Sequence, residues 1–284
     1  MKWIDETHSI ELKTKKCYQN GWRLLKATKL SKMKLDEITN RDGEVVSFPG
    51  GPSNANQALR TLRRMVGMAK EDKKLQNIPR IKLRKEWGRS IAMSIPNAEK
   101  IASHMDGDLK DAFVVIRGGG VRPEETFSLR WEYIQWENKI YQNPNGKSER
   151  SRRPIPLICW SEVIDPLAVL QRRHVEQGSP SQGWVFPSSR SRCGHLTTIK
   201  SQFNAARSKA GLPNAMVLYT GRQGAGTDLA KITTLKQVMD ILGHTQAKTA
   251  MRYQTSRGCG TPSSKADWTW PRTRSCHGHI CCRI

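Results

Sequence analysis

The 284-residue sequence is short of acidic residues. It carries 25 Asp plus Glu against 48 Lys plus Arg, a formal net charge of +23. The deficit points to a polyanionic partner, and nucleic acid is the first choice because phosphate neutralisation dominates its binding. A membrane surface is the weaker choice, because the sequence contains no basic amphipathic anchor.

Long apolar runs are also missing. The stretch after Met1 is polar and charged, which predicts that there is no signal peptide. The longest apolar runs, such as 112–116, are too short to cross a bilayer. The sequence therefore predicts a cytoplasmic, nucleoid-associated protein with no membrane partner.

Cysteines are sparse except at the C-terminal end. Cys17, Cys159 and Cys193 are scattered, as reduced thiols would be. The other four lie in 259–282 with two histidines, too crowded for a standard zinc finger. We expect no metal and no other cofactor. Residues 257–284 are interpreted as an irregular tail, either disordered or non-native, such as a frameshift would leave.

The remaining pattern predicts two domains and a mainly α fold with a small antiparallel β-sheet (α+β). Residues 1–77 are predicted to form a helical domain, and 91–256 a domain of mixed helix and strand. Between them, 78–90 is predicted to be a linker, since the charged stretch around it contains Pro79.

One helix of the first domain is predicted over 54–70, with Ser53 as its N-cap. Its apolar residues recur at helical spacing and predict one buried stripe: Leu59, Leu62, Val66 and Ala69. Three arginines share another face: Arg60, Arg63 and Arg64. This face is either ordinary solvated surface or a DNA-binding face that contacts phosphates, and the sequence leaves both open.

The helices of the second domain are marked by glycines and prolines. A buried helix over 109–117 is predicted to end at three glycines, and Pro123 to begin a helix that continues to about Trp131. Further helices are predicted over 198–210 and 235–242. Gly243 is the predicted C-cap of the latter, and Thr245 the predicted cap of a last helix that carries Tyr253.

A β-hairpin is predicted between these helices. The segment 134–142 has the pattern of a strand, 143–146 that of a tight turn, and 153–158 that of a returning strand. Pro154 and Pro156 place the returning strand at an edge, because proline cannot donate to a ladder.

Five residues at wide spacings could break a DNA phosphodiester without a metal: Arg122, Lys147, Arg222, His244 and Tyr253. A tyrosine can attack the phosphorus and store the bond energy as a phosphotyrosine, while cations stabilise the phosphate charge. Each residue alone also has a purely structural interpretation, as a surface cation, a helix cap or a packing residue. Glu125 could hold the Arg122 fork or could simply complement a helix dipole.

The motifs around these residues resemble the tyrosine recombinases, the phage-type site-specific integrases. The matching elements are Gly-Val-Arg-Pro-Glu-Glu (120–125) with Leu-Arg-Trp (129–131), Gly-Lys (146–147) with Arg-Pro-Ile-Pro-Leu (153–157), Tyr-Thr-Gly-Arg (219–222), and Leu-Gly-His (242–244) with Thr-Ala-Met-Arg-Tyr (249–253). The resemblance implies a helical core-binding domain and a catalytic domain that clamp double-stranded DNA. It also implies a homo-tetramer across two duplexes, and it leaves open an accessory DNA-bending protein.

The resemblance further implies the role of each site residue. Arg122 and Arg222 would hold the scissile phosphate, Lys147 would protonate the leaving 5′-oxygen, and His244 would support the phosphate. Tyr253 would be the nucleophile that forms a 3′-phosphotyrosine.

The sequence departs from the family pattern just before Arg222. Tyr219 stands where the family usually has histidine, and Gln223 where a histidine commonly follows. A phenol can donate a hydrogen bond to phosphate but is a poor base at neutral pH. Two alternatives therefore stay open beside recombination: strand relaxation of the type IB topoisomerase kind, and a DNA-binding protein that no longer cuts.

Overall fold

A computed structural model describes residues 11–86, 91–144, 152–157 and 164–253. The chain divides into two compact units, Met1–Arg89 and Ser90–Ile284. The described residues are mostly helical, with one three-stranded antiparallel sheet in the second unit. This confirms the predicted fold class. No helix of the described residues is long and apolar enough to cross a membrane.

The first unit is helical. It contains α1 (Leu12–Lys26), a 3-10 turn (Lys29–Lys32), α2 (Asn40–Val45) and α3 (Pro52–Glu71). Helices α1 and α3 cross closely at Gly21, since a Cβ there would lie 2.0 Å from the Thr61 hydroxyl. The predicted apolar stripe of α3 is buried as expected.

Helix α3 begins two residues earlier than predicted. Gly51 is its N-cap, and Ser53 lies inside the first turn. The proline at position 52 starts the helix, because its φ is already helical and its missing N–H is not needed there. After α3 the chain packs back on the same unit: Ile81 is buried, and the Asn56 side chain binds the backbone of Arg84. Ile81 and Arg84 belong to the range 78–90, which was predicted to be a linker.

The second unit contains eight of the described helices. They are α4 (Ile95–Ala102), α5 (Gly107–Gly119), α6 (Pro123–Phe127), α7 (Pro166–Glu176), α8 (Lys200–Lys209), α9 (Leu218–Ile232), α10 (Leu235–Leu242) and α11 (Ala247–Ala250). Helix α5 packs against both α7 and α9 and is buried along most of its length, so it forms the centre of this unit.

The sheet of the second unit has the order β1-β2-β3. The strands are β1 (Ile134–Gln135), β2 (Ile140–Gln142) and β3 (Pro154–Pro156). The prediction of one strand over 134–142 was wrong, because the chain reverses between β1 and β2, with Lys139 at a φ of 54°. The proline-containing strand β3 lies at the edge, as predicted. The second half of the predicted turn 143–146 lies outside the described residues.

Two further helix predictions were wrong in their bounds. The helix that begins at Pro123 ends at Phe127, because the backbone beyond it pairs elsewhere: the carbonyl of Leu129 accepts from Val185, and the N–H of Trp131 donates to Gly183. The N-cap of α11 is Gln246 rather than Thr245. Tyr253 lies in a 3-10 turn (Met251–Tyr253) that follows α11.

Helix α9 was not predicted from the sequence. It contains three glycines within six residues, which weaken any helix propensity. Two of them are required by packing. A Cβ at Gly224 would lie 2.0 Å from the carbonyl oxygen of Met93, and one at Gly226 would lie 2.8 Å from the ring of Tyr253. These two glycines are therefore needed because other parts of the unit pack closely against the helix.

Candidate active site

The predicted site residues of the second unit converge on the C-terminal end of α10. Gly243 ends this helix with a φ of 64°, and the N–H of His244 returns to the carbonyl of Met239. A helix end leaves its last carbonyls without intrahelical partners and carries a partial negative charge. We call residues 241–243 the arginine-capped turn, because each of its three carbonyls accepts from a different arginine. The pairs are Ile241 with Arg153 Nε (3.3 Å), Leu242 with Arg222 Nη2 (2.5 Å) and Gly243 with Arg122 Nη2 (3.0 Å).

Arg122 is the N-cap residue of α6. The proline that follows keeps its backbone extended, with φ −66° and ψ 142°. Its Nη1 donates to Glu125 Oε1 at 2.7 Å, and its backbone N–H donates to Glu125 Oε2 at 3.2 Å. The side chain is 33% exposed, so it remains partly accessible to a ligand.

Glu125 is shared between two arginines. Arg153 Nη1 lies 3.2 Å from its Oε1, and Arg153 Nη2 lies 3.4 Å from its Oε2. Burial alone would raise the pKa of Glu125, but the charges of Arg153 and Arg122 hold that pKa below its ordinary value. The carboxylate is therefore ionised at neutral pH. It is one negative charge among three guanidinium groups.

Arg222 is fully buried in α9, with 0% exposure. Its Nη1 donates to the carbonyl of Gly120 at 2.6 Å, at the end of α5. In the described part of the chain its hydrogen-bond partners are carbonyls, His244 (3.4 Å) and the Tyr253 hydroxyl; none is a carboxylate. Burial, with Arg122 close by, lowers the pKa of Arg222. A buried charge in this state is stabilised by an anion that enters the site.

His244 follows the arginine-capped turn directly. Burial, reinforced by the charges of Arg222 and then Arg122, lowers the pKa of His244 to about 4. The imidazole is therefore neutral at pH 7 and has one donor nitrogen and one acceptor nitrogen. Within the described residues its buried Nδ1 has no hydrogen-bond partner. The ring can serve as a hydrogen-bonding group toward a ligand.

Tyr253 packs its ring inside the unit and presents its hydroxyl to the site. The residue is 8% exposed, and its ring stacks on His244 with centroids 5.6 Å apart and planes 9° apart. Its apolar neighbours are Leu229, Ala230, Val238, Leu242 and Ala250. Burial raises the pKa of Tyr253, although the charge and hydrogen bond of Arg222 oppose that rise. The phenol is therefore protonated at neutral pH, with its oxygen at a buried guanidinium.

The structure gives fewer contacts for the remaining predicted site residues of the second unit. Tyr219 lies in the first turn of α9, is 44% exposed, and interacts electrostatically with Arg222 and Tyr253. Lys147 lies outside the described residues. Arg153 was not predicted as a site residue. Its signal was its position directly before the edge strand, in the segment that also carries Lys147.

The three arginines predicted to form a DNA-binding face in the first unit are exposed, and their side chains bond within that unit. Arg60 lies 3.4 Å from Glu86, and Arg64 lies 3.3 Å from Glu71. Arg63 Nε donates to the carbonyl of Ile81 at 2.6 Å. Exposed ion pairs contribute little to stability, so Arg60 and Arg64 can exchange a carboxylate for a phosphate at small cost.

Comparison with known families identifies the second unit. Residues 97–258, more than half of the chain, match the model of the phage integrase family. The chain belongs to the phage integrase family. The predicted resemblance to tyrosine recombinases is thereby confirmed, and with it the enzyme class, a tyrosine-type site-specific DNA recombinase. No curated protein matches the chain.

Solved integrase structures share the fold. The Tn1549 transposon integrase in complex with transposon right end DNA aligns with a TM-score of 0.69 and 18% identity, over 89% of this chain and 92% of that chain. A lambda integrase dimer bound to a COC′ core site aligns with a TM-score of 0.71 and 17% identity, over 93% and 95%. A lambda integrase tetramer bound to a Holliday junction aligns with a TM-score of 0.70 and 17% identity, over 92% and 77%.

Proposed function

We propose that this phage integrase family member cleaves duplex DNA through Tyr253 and rejoins it to a different strand. The observation that carries the proposal is the Tyr253 hydroxyl at the buried guanidinium of Arg222, which has no carboxylate partner in the described part of the chain. Arg122 lies at the same helix end, with a side chain that is 33% exposed. This arrangement suits a phosphodiester between the two arginines, with the phenol directed at the phosphorus.

In the proposed reaction the Tyr253 oxygen attacks the phosphorus and the bond to the 5′-oxygen breaks. Arg222 stabilises the phenolate as the Tyr253 proton passes to a solvent water molecule, and Arg222 and Arg122 bind the non-bridging oxygens. His244 and Tyr219 donate hydrogen bonds to the phosphate. Lys147, in the role that the family resemblance implies, gives a proton to the leaving 5′-oxygen.

Rejoining reverses these steps. The 5′-hydroxyl of another strand attacks the 3′-phosphotyrosine and releases Tyr253, so the phosphodiester count is conserved and no nucleotide is consumed. We further propose a tetramer on two duplexes, supported by the lambda integrase tetramer bound to a Holliday junction. The domain assignment is part of the proposal: 1–77 binds the core DNA, 91–256 catalyses, and the reaction takes place in the cytoplasm on the nucleoid.

The reaction is tested by covalent capture. The chain is incubated with nicked duplexes whose core sequence is random, and DNA that survives denaturing electrophoresis attached to protein is sequenced. We expect a shifted, protease-sensitive band and one enriched core sequence. Tyr253→Phe should abolish the band, while Tyr133→Phe, a half-buried tyrosine outside the site, should keep it. Tight DNA binding with no covalent band would support the non-cutting alternative instead.

Strand exchange and strand relaxation are separated with the enriched sequence. Two supercoiled plasmids are compared, one that carries two copies of the captured site and one that carries none. Recombination predicts an inverted or deleted product from the first plasmid only. Relaxation of both plasmids at equal rates would support the topoisomerase-like alternative.

A further inference from the structure

Arg153 has no role in the reaction above, but it contacts the frame that holds the phosphate-binding arginines. It lies directly before β3, and its side chain is 10% exposed. Its two Nη atoms lie on the two oxygens of Glu125, and its Nε donates to the carbonyl of Ile241. With its nitrogens engaged by protein acceptors and little surface open, Arg153 is built to hold the site rather than to bind DNA.

The two anchors of Arg122 are the two groups that Arg153 also holds. Arg122 donates to the Glu125 carboxylate at 2.7 Å and to the Gly243 carbonyl at 3.0 Å. Arg153 binds the same carboxylate and binds the arginine-capped turn two residues earlier, at Ile241. The contact to the turn is close, because a Cβ at Gly243 would lie 2.6 Å from Arg153 Cζ. Any shift of Arg153 therefore moves both anchors of Arg122.

We propose that Arg153 is a positioning residue of the recombination reaction. It fixes Glu125 and the arginine-capped turn, so that Arg122 meets the scissile phosphate in a productive orientation. The inference rests on the proposed function, because Arg122 acts on a phosphate only if the chain cuts DNA. A planar guanidinium fork can span a carboxylate and a carbonyl together, whereas a lysine ammonium is a single point charge.

The main test compares variants on the captured duplex under single-turnover conditions. Arg153→Gln should slow formation of the phosphotyrosine by roughly 100-fold, the cost of a small misplacement at a reacting centre. Arg153→Lys should not restore the rate, because its charge lacks the fork. The dissociation constant for the duplex should change by less than about threefold, since no phosphate contact is lost. Arg152→Gln, at the exposed neighbouring arginine, should match the wild type in rate and affinity.

A double-mutant cycle separates positioning from a general structural role. If Arg153 acts through Arg122, adding Arg153→Gln to Arg122→Gln should cause little further loss, because the group that was positioned is already gone. Losses that multiply would overturn the proposal, as would a wild-type rate in Arg153→Gln. A weaker affinity with an unchanged saturated rate would identify Arg153 as a DNA contact instead.

A measurement without DNA tests the frame itself. The N–H groups of Gly243 and His244 are bonded to Asp240 and Met239 in the turn that Arg153 holds. Arg153→Gln should speed their hydrogen exchange at least several-fold, while amides in α3 of the first unit stay unchanged. Unchanged exchange in the turn would reject the positioning role. If the wild-type chain captures no DNA, the proposed function fails, and this measurement alone decides whether Arg153 holds the turn.

Discussion

The arginines of the two units show two different uses of the same side chain. In the first unit Arg60 and Arg64 are exposed and pair with carboxylates on the surface. In the second unit Arg222 is buried, the side chain of Arg153 is only 10% exposed, and both donate to backbone carbonyls at the end of α10. A surface pair can exchange its partner freely, whereas a buried guanidinium is fixed in direction before any ligand arrives. The first arrangement suits affinity for a polyanion, and the second suits catalysis.

The largest effect is expected at Arg222. Arg222→Met should reduce single-turnover cleavage by at least roughly 100- to 1,000-fold, the usual cost of removing one preorganised donor to a transition-state oxygen. The free energy of unfolding should fall only modestly, because removal of a buried charge offsets the loss of the donors to the carbonyls of Gly120 and Leu242. Parallel cleavage assays and thermal melts would check both parts. A large drop in melting temperature would show that Arg222 is structural, and the contrast between the units would be lost.

The next largest loss of cleavage is expected when Tyr253 is displaced, and a substitution at the neighbouring glycine can displace it. Gly226→Ala should push the tyrosine ring aside, because the new Cβ would lie 2.8 Å from it. Cleavage should fall by roughly 100-fold, while affinity for the captured duplex is kept.

The matched control for this substitution lies in the first unit. Gly67→Ala in α3 has nothing within 4 Å of the added Cβ, so it should stabilise the protein by about 0.5 to 1 kcal/mol. Cleavage by this variant should equal that of the wild type. Equal losses of cleavage in the two variants would mean that replacing any helical glycine causes the effect, and not the contact between position 226 and the Tyr253 ring.

The local sequence could predict the fold class and the apolar stripe of α3, because both depend on periodicity and punctuation. It could not predict α9, because Gly224 and Gly226 break a helix locally and are justified only by distant contacts with Met93 and Tyr253. The single strand predicted over 134–142 failed for a similar reason. The reversal at Lys139 requires a positive φ at a residue that rarely adopts one.

The site shows the same division between motif and context. Four site residues were predicted from sequence motifs, and the structure brings them to one helix end: Arg122, Arg222, His244 and Tyr253. Arg153 was missed because an arginine before Pro-Ile-Pro could not be told from its neighbours. Only the three-dimensional contact with Glu125 and the arginine-capped turn distinguishes it.

A smaller effect is expected from the exposed arginines of the first unit. Replacing Arg60, Arg63 and Arg64 together by glutamine should weaken DNA binding and make the plot of log affinity against log salt less steep. If all three contact phosphates, the slope should change by about 2.7, since each phosphate contributes about 0.9. The rate of cleavage at saturating DNA should not change. Binding titrations across a salt series measure the slope, and an unchanged slope would assign these side chains to ordinary surface.

The smallest effect is expected from pH, and it is confined to the second unit. The pKa of His244 is about 4 in the folded protein, below its ordinary value of 6.5. The unfolded chain therefore binds more protons between these values, so His244 reduces stability as pH falls from about 6.5 towards 4. The pKa of Glu125 is also lowered in the folded protein, so protonation of Glu125 reduces stability only below its ordinary pKa of 4.5. The described part of the first unit contains no histidine.

His244→Gln should remove this sensitivity. Thermal melts at pH 7 and pH 5.5 should show a smaller loss of stability in His244→Gln than in the wild type, because an amide does not titrate in this range. His104→Gln, at an exposed histidine of the same unit, is the control and should behave as the wild type. If His244→Gln loses as much stability as the wild type, the imidazole is not held neutral by burial and the neighbouring arginines. The buried cluster would then differ less from the surface arginines of the first unit than its geometry indicates.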